Sequence, residues 1–132
     1  MPPQKSSNLA INHIAISCVD LPALVEWYTD VLGFELVGEV QHHKRSEDPT
    51  PFDTIFVSYP PSLEELKFAI LTSGNGVGIE CFQFIDPPCK PRDEEFEFAR
   101  AGVFHICVTD SNPEVLMEKV HEQEEAPPQA VS

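Results

Sequence analysis

Positive charge is scarce in this chain. Its 132 residues hold 8 Lys and Arg against 22 Asp and Glu, a formal net charge of −14. A field of that sign repels phosphate backbones, so nucleic acid is excluded as a partner, and a strongly anionic substrate is disfavoured. Long apolar runs are also missing. None approaches the ~18 residues of a membrane-spanning helix, so no membrane partner is expected. Met1–Asn8 is polar with no apolar stretch behind it and reads as a disordered leader, not a signal peptide. The four cysteines (Cys18, Cys81, Cys89, Cys107) never stand at C-x-x-C spacing, which argues against a zinc knuckle or a thioredoxin-type redox pair. Three of them lie in apolar runs where a reduced thiol acts as a small hydrophobe, and a cytoplasmic location follows as the expectation.

What is present reads as mixed α and β structure. Leu9–Val19 is β-branched and apolar on both faces, the pattern of a central strand. Asp20 then offers an N-cap, Pro22 a first-turn residue and Gly33 a C-terminal stop, around a stripe of Leu24, Tyr28, Val31 and Leu32. Phe34–Gln41 alternates as a half-buried strand. His42–Ser62 carries charge and four prolines and is expected to be a long loop, with a short strand at Ile55–Val57. Leu66–Thr72 and Val77–Ile85 flank Ser73-Gly-Asn-Gly76, a strong hairpin signal. Asp86–Arg92, with three prolines, is a linker. Val103–Thr109 is again strand-like, Asn112-Pro113 opens a helix to about Glu124, and Ala126–Ser132 is expected to fray.

The chain repeats itself. At a constant offset of 92 positions, Ile11 falls on Val103, His13 on His105, Ile14 on Ile106 and Ile16 on Val108. The helices that follow match as well, Leu24 on Leu116 and Glu26 on Glu118. A strand-helix unit thus occurs twice, each time with a histidine at the same place in the strand. Strand parity sets His13, His105 and Glu80 each among apolar neighbours. Repeat symmetry would bring the two histidines together, and Glu80 as a lone buried charge needs a partner. Two imidazoles and a carboxylate suit a divalent metal such as Zn, Ni, Mn or Fe, with open positions for substrate oxygens. Taken singly, a strand histidine is more often a hydrogen-bonded core or edge residue. His42 and His43 point opposite ways in a loop context and His121 lies on a terminal helix, so these three read as solvent-facing.

These residues carry a resemblance. INHIAI at Ile11–Ile16 with Asp20-Leu-Pro22, Trp27-Tyr28, Val31-Leu-Gly-Phe34, VGIE at Val77–Glu80 and VFHICVTD at Val103–Asp110 resemble the vicinal oxygen chelate superfamily of glyoxalase, bleomycin-resistance and extradiol dioxygenase proteins. The resemblance implies an α+β fold of paired β-α-β-β-β modules forming a cupped mixed sheet, the second module incomplete. Here that means one domain over 9–125, made of module one at 9–86 and a partial module two at 102–125, with a tail at 126–132. It also implies a metal held by His13, Glu80 and His105, with Glu80 as ligand or catalytic base. The last-strand glutamate that completes the family's site has no counterpart, and the chain reads as truncated within its second module.

The implied activity is that of a metal-dependent glyoxalase-like lyase or isomerase, which chelates vicinal substrate oxygens and stabilises an enediolate. An Fe(II) extradiol-type dioxygenase and a non-catalytic small-molecule binder of the bleomycin-resistance kind are the alternatives. The expected partners are a small-molecule substrate and a second copy of the chain in a homodimer.

Overall fold

A computed structural model of the chain describes residues 4, 7–47 and 54–124. The fold is α+β. In chain order it comprises β1 (His13–Ser17), α1 (Leu21–Asp30), β2 (Glu35–Lys44), α2 (Thr54–Val57), β3 (Glu65–Thr72), β4 (Gly78–Asp86) and α3 (Pro113–Glu124). The four strands form one mixed, unclosed sheet in the order β1-β4-β3-β2. β1 runs parallel to β4, and the other two pairings are antiparallel.

Local chemistry accounts for the first helix. The Asp20 carboxylate accepts from the Ala23 N–H at 3.1 Å, satisfying one of the orphan donors of the first turn. The side-chain oxygen of Gln83, on β4, accepts from the Leu21 N–H at 2.9 Å and ties the helix start to the sheet. Gly33, at φ +71°, makes the left-handed turn that ends the segment. Leu21, Leu24 and Tyr28 face the sheet, and Cys18, Ala69, Leu71, Ile79 and Cys81 complete this core.

The opposite sheet face carries a second, smaller core. There Phe56 and Leu63 settle onto Leu66, Phe68 and Phe82. β3 and β4 are thus covered on both faces over part of their length, which is why both read as nearly continuous apolar runs. The hairpin joining them closes as expected, with the Ser73 N–H donating to the Val77 carbonyl at 3.0 Å and Gly76 at φ +83°.

Arg45, just past β2, fastens the connection that carries α2. Its side chain donates to the Leu63 carbonyl at 2.7 Å and the Pro60 carbonyl at 3.1 Å, and its guanidinium lies over the Phe56 ring at 4.8 Å. Cation, ring and backbone acceptors are bound into one unit, so the segment from Ile55 to Leu63 is a roof on the second core.

Four expectations are corrected. Leu9–Asn12 lies outside β1, which starts at His13. β2 extends to Lys44 and takes in His42 and His43. These histidines have partners: His42 Nε2 meets a Glu65 carboxylate oxygen at 2.6 Å, and His43 Nε2 meets the Gln41 side-chain oxygen at 3.0 Å. Ile55–Val57 is one helical turn, because the roof needs Phe56 pointing down and has no ladder to join. Val103–Thr109 forms no strand among the described residues. A strand exists only by pairing, and β1 already occupies the edge of β4, so the run has the composition of a strand without a neighbour. The expected leader and tail fall mainly or wholly outside the described residues.

Candidate functional site

The sheet face opposite α1 is the face that carries the polar pair. Register aligns Ala15 with Glu80, Glu80 with Ile70, and Ile70 with Val37, a row running across all four strands. The next row is Ser17, Phe82, Phe68 and Gln41. The roof covers the Phe68–Phe82 part of this face. It leaves the first row open: Val37 is 52% exposed, Ala15 is exposed, and Ile70 is half-buried.

His13 and Glu80 meet at the β1 end of the open row. Nε2 of His13 lies 3.5 Å from a Glu80 carboxylate oxygen, while Nδ1 lies 2.7 Å from the Asn12 side-chain oxygen. The histidine is thereby oriented from one side and aimed at the carboxylate from the other. Strand composition allows this approach. Gly78 sits opposite His13, and a Cβ at 78 would come within 3.0 Å of the His13 Cβ. Sequence reasoning found both polar residues, but the role of Gly78 became visible only once register placed it across from His13.

Aromatic rings make the adjoining wall. His43, Phe68, Phe82 and Phe84 form a ladder of near-parallel rings with centroid separations of 5.7, 5.4 and 5.8 Å. Tyr59, from the roof, packs against Phe82 at 6.3 Å and Phe84 at 5.8 Å. Burial, and secondarily the charge of Glu80, raise the Tyr59 phenol above its ordinary value and keep it protonated. The site therefore combines a carboxylate acceptor and an imidazole with an open apolar floor and an adjoining aromatic wall.

His105 stands apart. It is exposed, with its ring edge-on to Phe104 at 4.7 Å. Among the described residues, no group of three or more His, Cys, Asp and Glu side chains is placed to hold a metal ion. The donor types of His13 and Glu80 suit a borderline divalent ion, yet a catalytic site needs three protein ligands and this pair supplies two. As folded here, the residues do not make a complete metal site.

A separate concavity of about 670 Å³ opens on the α1 side of the sheet, between Ile14, Phe34 and Ile79 and the Ile106–Lys119 stretch. Neither His13 nor Glu80 reaches it.

Sequence comparison gives this geometry its family. The profile of the Glyoxalase/Bleomycin resistance protein/Dioxygenase superfamily matches residues 10–126. The chain belongs to that superfamily. A comparison with curated proteins finds no match. Membership accounts for the mixed, unclosed sheet with a helix on one face, while the superfamily's own description spans glyoxalases, resistance proteins and dioxygenases. Fold alone does not choose among them. Among the described residues, no helix is long and apolar enough to cross a membrane.

Proposed function

We propose that the open row of the sheet is a small-molecule site, with the His13–Glu80 pair as its polar end. The observation that carries this reading is the 3.5 Å approach of Nε2 of His13 to Glu80 beside an apolar floor that the roof leaves uncovered. A concave face with apolar walls and a few convergent polar groups is the common form of such sites. In the enzymatic form of this reading, Glu80 is the general base, taking a proton from a carbon next to a substrate carbonyl, and His13 holds the carboxylate in position. This corresponds to glyoxalase-like lyase or isomerase chemistry. A module that only binds its ligand uses the same floor and walls without the proton transfer.

Metal dependence is a second reading, favoured by the donor types of the pair. It requires Zn, Ni, Mn or Fe on His13 and Glu80 with a further donor, either His105 brought in by rearrangement or a group from a second copy. Elemental analysis of the purified chain and of His13→Ala distinguishes the forms. About one metal per chain, lost in the variant, supports the metal-dependent enzyme. A folded, metal-free chain excludes it and leaves the proton-transfer or binding forms.

A homodimer belongs to the same proposal. Val103, Phe104, Ile106 and Val108 are exposed in a run with strand composition, leaving an apolar surface that association would cover. The reducing compartment expected from composition suits the thiols, since all four cysteines are free. Light scattering at working concentration is expected to give twice the 14.7 kDa chain mass. A monomer that melts cooperatively would overturn the dimer.

A further inference from the structure

The concavity on the α1 side of the sheet has no part in the function proposed for His13 and Glu80, yet its lining has the chemistry of a ligand site. We propose that it binds a free α-amino acid with an apolar side chain, the carboxylate received by Lys119 and the ammonium group by Asp110. It lies on the other face of the sheet from the His13–Glu80 pair and stands or falls separately.

The first observation is an apolar seat divided between two parts of the chain. Ile14, Leu32 and Val77 are half-buried on the sheet side, and Ile106, Val108 and Val115 across from them are 37%, 38% and 49% exposed. Neither set covers the other, and the space of about 670 Å³ between them is of the size that small-molecule sites have. The hairpin holds the sheet side in shape, the Ser73 hydroxyl donating to the Val77 carbonyl at 2.8 Å. Val103 and Phe104 do not line the cavity and remain available for association.

The second observation is a pair of opposite charges that share the cavity without meeting. Asp110 and Lys119 both line it, and among the described residues neither has an ion-pair partner. Each follows an apolar wall residue: Asp110 comes two positions after Val108, and Lys119 one helical turn after Val115 on the same face of α3. One Asp110 oxygen accepts from the Asn112 N–H at 3.1 Å, which leaves the other for a ligand. Two separated charges over an apolar seat complement a molecule that carries both charges on one carbon with an apolar side chain beside them. A fatty acid would meet Asp110 as a like charge, and an alkylamine would meet Lys119 as one. A zwitterion has no net charge, so the −14 of the chain does not oppose it.

Calorimetric titration of the full chain with L-leucine, N-acetyl-L-leucine and 3-methylbutylamine tests the assignment, the second lacking the ammonium group and the third the carboxylate. Lys119→Gln is expected to weaken L-leucine about 2- to 5-fold, the range of an exposed ion pair, and to leave 3-methylbutylamine unchanged. Asp110→Asn, which keeps an acceptor for the Asn112 N–H, should weaken L-leucine by a similar factor and leave N-acetyl-L-leucine unchanged. Glycine, without the apolar side chain, should bind at least about 10-fold more weakly than L-leucine. Val108→Trp fills the cavity from an exposed position and should abolish binding, whereas Ala15→Trp on the opposite face should not change it. L-Leucine affinity that is indifferent to either charge variant, or that survives Val108→Trp, overturns the proposal. So does the absence of binding to the unmodified chain. Loss of binding in Ala15→Trp overturns it as well, because the ligand then sits on the His13–Glu80 face.

Discussion

Raising the pH from 9 to 11 is expected to remove on the order of 5 kcal/mol of the stability of this fold. Burial pushes the Cys81 thiol from its ordinary 9.0 up to about 12 and the Cys18 thiol up to about 11, each also raised by a neighbouring thiol. Burial likewise lifts the Tyr28 phenol from 10.0 to about 12. All three side chains belong to the core between α1 and the sheet, where an anion would lose its water without gaining a cation. The native state therefore holds these protons to higher pH than the unfolded chain does. Stability is fully present below the unfolded value near 9 and is lost as pH climbs toward the folded values. At pH 11 each thiol costs about 2–3 kcal/mol and Tyr28 about 1 kcal/mol more, together on the order of 5 kcal/mol. A domain of this size has roughly 5–15 kcal/mol in total. Urea unfolding at pH 7, 9 and 11 measures the slope, and the double variant Cys18→Ala/Cys81→Ala should flatten most of it. A midpoint that does not move with pH, or a slope that survives the double variant, would show that these protons do not control alkaline stability.

That core is largely legible in the sequence. Asp20, Pro22 and Gly33 bracket a helix whose stripe leaves one arrangement against the strands, and Ser73–Gly76 determines how β3 and β4 meet. Glu80 and His13 stood out for a related reason: a polar residue inside an apolar run must either be paired or carry a function. Periodicity could not supply neighbours. Val103–Thr109 has the alternation of β1 and repeats its histidine, yet no strand edge receives it among the described residues. The proposed ligand set that included His105 depended on that pairing, so it remains a proposal about an assembled or rearranged state.

The roof was hidden for the opposite reason. Its residues are separated by prolines and show no period, and what holds it is a cation from β2's end reaching two carbonyls. No local pattern announces Arg45 as a clamp or Tyr59 as part of the aromatic wall. Both roles arise from contacts between segments distant in sequence.

The ring ladder joins these two parts, and truncating its centre is expected to cost more than any other single change on the open face. Phe82 is 8% exposed and touches Phe68, Phe84 and Tyr59, while its carbonyl accepts from the Cys18 N–H at 2.8 Å. Phe82→Ala removes the ring on which the roof rests and leaves a void between Phe56, Phe68 and Phe84, which rigid strands cannot close. A loss of about 3–5 kcal/mol follows from comparable buried phenylalanines. Phe82→Leu, which keeps most of the volume, should cost about half as much and restore the roof. Chemical denaturation gives the stability, and hydrogen exchange at residues 55–63 reports whether the roof has lifted. The two readouts must move together. If Phe82→Ala unfolds the chain at lower urea while exchange at 55–63 in the native state is unchanged, the roof is held by Arg45 alone. In that case Tyr59 keeps its place beside Phe84 without the ladder's centre. If exchange rises to the rate of an open loop, the aromatic wall and the ligand site share one support, and weakening one weakens the other.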